Sequence, residues 1–421
     1  MSSEMKESNF EWIGKIPDKW HMVPHKYIFN YEKGKKVDFL NSKTKYSLPY
    51  ITMEVYRGES KPNYATRESG ILVDPDDICI LWDGSNAGEV YKPNMEGILS
   101  STSAKLNVIS KNINKKYLYY YLKAYETTLK DKTIGMGIPH VDGNKLLNDK
   151  IPLPEIEEQE NISNYLESSS LLIDESISLS RKSIQEFKTF KRSLITETVT
   201  KGLDSNVPMK DSGIDGIGFY PNNWALTKLK YLISLDPSFK DEESNPEYST
   251  FVPMDHLKQG YFINGNMVKT KDVANSYSFF AEGDIAIAKV RPSFENGNIA
   301  LMNNLKTGIG FGTSEIFVLR IESNRIINKY LLYYLMNENF INITSSTMTG
   351  VAGLKRYSSS FLMNYPIPLP PLNEQKEIID YLDKKTAQID QLIEDKTKLI
   401  EELENYKQSL IYEYVTGKKE V

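Results

Sequence analysis

At 421 residues the chain is too long for one ordinary hydrophobic core, and its 40% hydrophobic content is that of a globular protein, so two or three domains are expected. No run of about 18 apolar residues is present, which argues against a membrane span; the polar stretch Met1–Trp12 has no secretory core, and the single cysteine, Cys79, can form no internal disulfide, so a cytoplasmic protein is expected. The net charge of −5 is unevenly placed: residues 1–150 carry +3, 151–203 carry −3, 204–366 carry −1 and 367–421 carry −4. That balance disfavours purely electrostatic binding of nucleic acid as the main role, without excluding DNA read by a locally positive face.

In chain order, the first stretch opens with Ile13-Gly14, Pro17, Trp20 and Lys26-Tyr27. Asp77-Ile78-Cys79-Ile80-Leu81-Trp82 follows the turn signal Asp74-Pro75-Asp76 and predicts a short buried strand. It runs into the polar loop Asp83-Gly84-Ser85-Asn86-Ala87-Gly88, and a second strand is expected after Ser101-Thr102-Ser103, over 104–109. Lys116-Tyr117-Leu118-Tyr119-Tyr120-Tyr121-Leu122 reads as a helix, and Gly135-Met136-Gly137-Ile138-Pro139-His140 as a glycine-containing segment. Ile151-Pro152-Leu153-Pro154 is extended, because its prolines forbid a helix. From about Glu157 to Thr200 there is neither proline nor glycine, and Lys201-Gly202 supplies the stop of a long helix.

The same order then recurs. Ile217-Gly218, Pro221, Trp224 and Lys230-Tyr231 repeat the opening at an offset of 204. Asp284-Ile285-Ala286-Ile287-Ala288-Lys289 is the matching strand, after Glu282-Gly283, and leads into Arg291-Pro292-Ser293-Phe294-Glu295-Asn296-Gly297. Gly312-Thr313-Ser314 precedes the next strand, over 315–319. The helix Lys329-Tyr330-Leu331-Leu332-Tyr333-Tyr334-Leu335 and the segment Gly350-Val351-Ala352-Gly353-Leu354-Lys355-Arg356 follow. Residues 367–416 then match 151–200 without a gap, with 22 identities in 50 positions, more than chance produces. A period near 210 is too long for a solenoid; it is a duplicated domain pair in which one part stays alike and the other has diverged.

The second long helix is expected from about Asn373 to Thr416, with Asn373 as N-cap and Gly417 as its stop. Ile389, Leu392, Lys396, Leu399, Leu403, Tyr406 and Leu410 alternate at three and four, a heptad seam that Ile393 and Ile400 widen. In the first copy Ile173, Ile177, Ile184, Phe187, Phe190 and Leu194 do likewise, with Ser176, Ser180 and Ser183 on the seam. So leucine-poor a seam makes the other helix of the same chain the better partner. Two helices of about 44 residues, each roughly 65 Å long, packed antiparallel would form a rod with one globular domain at each end, related by a pseudo-two-fold axis. Such a rod can hold two domains at the spacing of one DNA turn, about 34–36 Å.

A tryptophan-containing opening, a strand running into a Gly/Ser loop, a Lys-Tyr-Leu helix, a glycine segment and Ile-Pro-Leu-Pro before Glu-Gln and a long helix, all twice over, resemble the specificity subunit (HsdS) of type I restriction-modification enzymes. The resemblance covers essentially the whole chain. Ile367–Gln375 is its most family-like stretch; the first copy departs from it with Glu155 where the second has Pro371. The resemblance implies an α/β (α+β) fold: target recognition domains at 1–150 and 204–366, and helical spacer regions at 151–203 and 367–421. It implies a non-catalytic subunit that reads the two halves of an asymmetric double-stranded DNA target. It also implies two docked methyltransferase subunits and possible restriction/translocase subunits. S-adenosylmethionine, ATP and Mg are expected on those partners and no cofactor or metal on this chain. A coiled-coil scaffold without DNA binding is the alternative; it accounts for the helices and the acidity but not for two diverged domains.

Polar loops at strand ends suit base reading, since Arg and Lys grip guanine, Asn and Gln adenine, and Ser or Thr either base or phosphate. The candidates in the first reader are Lys33, Lys35, Lys36, Arg57, Ser85, Asn86, Ser101, Thr102, Ser103 and His140. In the second they are Lys269, Lys271, Lys289, Arg291, Ser293, Asn296, Thr313, Ser314, Lys355 and Arg356. Trp20 and Trp224, at matched positions, are expected in the core rather than stacked on bases.

No catalytic motif is complete. Asn245-Pro246-Glu247-Tyr248 resembles the Asn-Pro-Pro-Tyr of adenine methyltransferases, but its third residue differs and no glycine-rich cofactor loop accompanies it, so a turn is expected. No phosphate-binding Gly-x-x-x-x-Gly-Lys-Ser/Thr is present. Asp383…Lys385 and Glu394…Lys396 fall on a long helix as surface charges, without the second acid that a metal nuclease needs. His21 and His25 have a helical metal spacing, but Pro24 separates them and no third ligand is evident.

Overall fold

The computed structural model describes residues 4–214, 216–240, 246–350 and 354–421. Asn245 of the Asn-Pro-Glu-Tyr turn and residues 351–353 of the second glycine segment lie outside them. The chain forms two compact units, residues 1–180 with 398–421 and residues 181–397. The four segments read from the sequence follow the chain; these units follow the packing, and each long helix contributes to both.

The first unit contains two four-stranded sheets. One has the order Phe29–Lys33, Ser103–Val108, Ile78–Leu81, Val90–Tyr91, antiparallel throughout. The other has the order Tyr64–Thr66, Ser47–Ile51, Gly97–Leu99, Leu72–Val73, with its central pair parallel. Met5–Glu7 pairs with Lys15–Pro17, and His21–Pro24 with Lys150–Leu153. The second unit repeats every element of this topology. Its sheets run Ile233–Leu235, Ile316–Ile321, Ile285–Ala288, Ile299–Leu301 and Met267–Lys269, Tyr248–Val252, Ile309–Gly312, Ser278–Ala281. Met209–Asp211 pairs with Phe219–Pro221, and Ala225–Lys228 with Pro366–Leu369. The copies differ after the Lys-Tyr-Leu motif: one helix, Lys115–Asp131, in the first, and two, Asn328–Leu335 and Glu338–Ser346, in the second.

The repeated motifs are the joints of this frame. The Lys of each Lys-Tyr-Leu helix pairs with an acid on the long helix, Lys116 with Glu167 and Lys329 with Asp383, each at 2.6 Å. The first Tyr is fully buried and donates to a carbonyl of the proline strand: Tyr117 to Pro152 (2.8 Å) and Tyr330 to Pro368 (3.4 Å). Prolines are tolerated there because each strand pairs on one side only. The Gln of each Glu-Gln pair is buried and saturated. Gln159 donates to the carbonyls of Pro154 and Asn112 and accepts from the Asn114 amide; Gln375 donates to those of Pro370 and Arg325 and accepts from the Ile327 amide. A buried amide with all partners met is stabilising, whereas the same group unpaired costs about 1–3 kcal/mol.

Each unit is completed by the helix end of the other copy. Tyr117 also donates to Val415 O (3.2 Å), and Tyr330 to Val199 O (3.3 Å). Gly417, at φ 68°, closes the second long helix against Pro17 and Trp20, where a Cβ would lie 2.3 Å from Pro17 Cδ; Gly202, at φ 77°, does the same beside Trp224. Both tryptophans are core residues, each 1% exposed.

The long helices span Ile156–Lys201 and Leu372–Val415. The second begins at Leu372, so Asn373 sits inside the first turn and is not the N-cap expected of it. In both units the two helices run antiparallel. Asp174 faces Lys407 (2.6 Å) and Tyr165 faces Tyr414 in the first, and Lys191 faces Asp390 (2.7 Å) in the second. The buried seam differs from the one read off the second helix. Leu392, Leu399 and Tyr406 are exposed, while Ile389, Ile393, Lys396, Ile400, Leu403, Lys407 and Leu410 turn inward. The first helix turns Ile173, Ile177, Ser180, Ile184, Phe187, Lys191 and Leu194 inward, and leaves Ser176 and Phe190 exposed. These are the same seven positions in each copy. The physical reason is the lysine at the sixth: its stem covers apolar surface and its ammonium reaches the facing aspartate.

His25 is fully buried in the first core. Its ring donates from Nδ1 to Leu146 O (2.7 Å) and stands 2.8 Å from the Tyr121 hydroxyl. Burial lowers its pKa from 6.5 to about 4 against a smaller raising effect of the Leu146 carbonyl. The unfolded chain therefore binds this proton first. The stability that the neutral ring contributes is complete above pH 6.5 and is lost as pH falls toward 4, with about 2 kcal/mol gone at pH 5. The second copy has Leu229 here. His25→Leu is expected to abolish this part of the acid sensitivity, measured as the pH 8 to pH 5 difference in urea unfolding against wild type.

Candidate nucleic-acid interface

Four segments of the first unit meet beside the strand Ile78–Leu81. The amides of Trp82 and Asp83 both donate to Thr102 O (2.7 and 3.1 Å), which joins the strand-end loop to the Ser100–Ser103 turn. The Gly34 amide donates to Ser103 O (2.9 Å), which adds the Lys33–Lys36 segment. The Gly84 amide donates to Pro139 O (3.0 Å), and His140 bridges to Asp83, which adds the glycine hairpin. This face holds most of the first set of candidates. Lys33 is exposed, ion-paired with Asp83 (3.0 Å) and 5.7 Å from the Trp82 ring centre. Lys35, Lys36, Ser85, Asn86 and Thr102 are exposed, while Ser101 and His140 are half-buried. Two candidates stand apart. Ser103 is fully buried in its strand, so its hydroxyl faces no solvent. Arg57 ends a short helix and is tied to Glu89 at 2.5 Å.

The second unit builds the corresponding face with more charge. The Lys289 amide donates to Glu315 O and the Arg291 amide to Lys355 O, each at 2.9 Å. Arg356 grips Glu315 through Nε (2.8 Å) and Nη2 (2.9 Å), and Arg291 donates from Nε to Glu295 (2.6 Å). The hydrogen bond from Arg356 holds the Glu315 carboxyl below its ordinary range, against the opposing effect of burial. Lys289 lies 5.1 Å from the Phe317 ring centre. Ser314 and Lys355 are exposed; Thr313 and Ser293 are half-buried. Lys269 and Lys271 belong to the other sheet and the short helix after it; Lys271 lines a separate cavity of about 670 Å³ with Asp236 and Phe279. Asn296 turns toward a second cleft, of about 860 Å³, shared with Lys188, Arg192 and Lys258. Sequence reasoning missed those three cations, because two of them lie on a helix read as scaffold.

Among the described residues no three His, Cys, Asp or Glu side chains are grouped to hold a metal ion, and no helix is long and apolar enough to cross a membrane. Cys79 is buried, and burial pushes its thiol up to about 12, which withholds it from nucleophilic chemistry.

Two duplicated mixed sheet domains, each presenting a polar face at a strand end and framed by paired long helices, define a two-domain recognition protein. The sequence model of the type I restriction modification DNA specificity domain matches residues 17–187 and 221–405. The chain is 32% identical over 429 residues to the type I restriction enzyme MjaVIII specificity subunit of Methanocaldococcus jannaschii, covering 98% of this chain and 96% of that one. It is 40% identical over 174 residues to the EcoAI specificity subunit of Escherichia coli, covering 41% of this chain and 29% of that one. Among solved structures, one described as the structural basis of complex assembly and conformational transition of the type I R-M system superposes with a TM-score of 0.71 at 17% identity, covering 96% of this chain and 99% of that one. The HsdS subunit of Thermoanaerobacter tengcongensis gives 0.50 at 18% identity, covering 96% and 98%. The chain belongs to the type I restriction-modification DNA specificity subunits.

Proposed function

We propose that the chain is the non-catalytic reader of a type I restriction-modification complex, in the cytoplasm. Each unit reads one half of an asymmetric two-part DNA sequence. The long helices set the half-site spacing and dock two methyltransferase subunits, which bring S-adenosylmethionine; ATP and Mg belong with restriction subunits where those join. The observation that carries this reading is a frame kept alike down to single hydrogen bonds, holding two faces whose side chains differ. A solved relative described in terms of complex assembly of the type I R-M system supports the partner assignment. A pure scaffold would leave the two diverged polar faces without a use.

The test is co-expression with the modification subunit and mapping of methylated adenines by single-molecule sequencing. A two-part motif is expected. Exchanging residues 204–366 for those of another family member should change one half of the motif and leave the other intact. Absence of any two-part motif, or a change in both halves, would refute the reading.

A further inference from the structure

The hairpin that closes the first reader's face carries side chains for which hydrogen-bond readout has no use. Ile134 and His140 pair through both backbone hydrogen bonds (2.9 and 2.8 Å), and His140 bridges onward to Asp83 in the strand-end loop. Along this hairpin Ile134, Met136 and Ile138 are 39%, 110% and 69% exposed. Gly135 turns the chain outward at φ 114°, where a Cβ would lie 2.5 Å from Ile138 O. A Cβ on Gly137 would meet nothing within 4 Å, so the tip stands in open space. Single exposed apolar residues are ordinary. Three on one five-residue tip form a patch, and the Asp83–His140 bridge joins its base to the face that carries Lys33, Lys35, Lys36, Asn86 and Thr102. Lys35 and Lys36 are exposed cations on that same face, so the surroundings of the tip favour a polyanion over an apolar protein surface.

In the major groove of DNA the one apolar group on a base edge is the 5-methyl of thymine. We propose that Met136, with Ile138 beside it, reads thymine in the first unit's half-site by packing against that methyl group. The inference rests on the reading that this unit binds a half-site, and it names the chemistry of one contact. In the second unit Thr349 and Arg356 make the corresponding closing backbone pair, at 3.0 and 2.9 Å, with Lys355 and Arg356 beside it. The closing pair is shared and the side chains at it are not, as expected where the two readers differ.

The test uses the full chain assembled with its modification subunits, after the wild-type motif has been mapped. Each thymine of the first half-site is replaced in turn by uracil, which removes only the methyl group, and equilibrium binding and methylation rate are measured. At least one replacement should weaken binding roughly fourfold, the effect of one buried methyl. A variant carrying Met136→Ser and Ile138→Ser should bind thymine and uracil duplexes equally, with the second half-site requirement unchanged. The proposal is overturned by equal wild-type binding of the two duplexes, by a first half-site of G·C pairs alone, or by a double variant that still discriminates. Loss of assembly with the modification subunits in that variant would assign the tip to a protein contact and also overturn it. Failure of the underlying reading shows separately, as no two-part motif in the wild-type map.

Discussion

Asp284→Ala is expected to remove about 2–3 kcal/mol from the stability of the second unit, the cost of taking a buried carboxylate away from the amide and the half-buried guanidinium that donate to it. The Asp284 side chain is 3% exposed and receives Nε and Nη2 of Arg320 at 2.9 and 2.6 Å. It also accepts the Ala281 amide at 2.8 Å, which fixes the turn that feeds the strand Ile285–Ala288. Removing the carboxylate leaves a guanidinium against a closed sheet and an amide without its acceptor. The measurement is urea unfolding, with hydrogen exchange in Ile285–Ala288 and Ile316–Ile321 as the local readout, since these strands pair directly. Pairing Asp284→Ala with Arg320→Leu should cost less than Asp284→Ala alone, because the half-buried guanidinium then no longer lies against the sheet without its acceptor. Equal losses would mean that the turn, and not the charge, is the stabilising feature. The first unit holds Asp77 in the same turn, accepting from the Asp74 amide at 3.0 Å, but its cation, Lys105 at 2.6 Å, comes from the register position opposite Cys79, so Asp77→Ala tests the turn with a different partner.

Those two aspartates show what a sequence can and cannot reveal. Asp77 and Asp284 were legible as matched residues at the start of matched strands, but nothing in the order of residues says which cation meets them from the neighbouring strand. The duplication, the proline strand and the long helices were readable because each is written locally, in composition and period. The exchange of helix ends was not. A repeat at offset 216 makes Val199 and Val415 equivalent, and equivalence cannot say which copy of Tyr117 and Tyr330 either one meets. The heptad seam failed for a related reason. Leu392, Leu399 and Tyr406 are apolar and correctly spaced, yet they face out, while Lys407 faces in because Asp174 lies opposite. Only the partner decides between two registers that both alternate at three and four. In the candidate interface the sequence found the loops, since glycine and polar residues after an apolar strand mark them. It did not separate Ser103, buried, from Thr102, exposed, because alternation along a strand fixes faces only once the sheet's core side is known.

Arg356→Ala is expected to lower discrimination at the second half-site by roughly ten- to hundredfold and leave the first half-site untouched, because an arginine on a reading face suits the two acceptors of guanine. A guanidinium has five N–H groups in a rigid fork. Glu315 engages Nε and Nη2 of Arg356 and the Leu354 carbonyl accepts from Nη1 (3.4 Å), so the exposed guanidinium is held in place before DNA arrives and keeps one further N–H on each terminal nitrogen. A side chain already held in place loses less freedom on binding, which favours specificity over mere attraction. The neighbouring Arg291, held by Glu295, is arranged alike. Removing the restraint should therefore act differently from removing the cation. Glu315→Gln takes away a negative charge beside the groove, so binding to unrelated DNA should strengthen while the ratio of specific to non-specific affinity falls. Lys35→Ala and Lys36→Ala in the first reader serve as the contrast. As phosphate contacts they should weaken binding evenly across sequences and reduce the salt slope by about one each. The measurements are binding of the assembled complex to duplexes altered one base pair at a time in either half-site, repeated over a range of salt. If Arg356→Ala lost affinity evenly for all duplexes, with a shallower salt slope and unchanged base preference, Arg356 would be a phosphate contact, and base reading by the second unit would rest on Lys289, Arg291 and the Thr313-Ser314 turn.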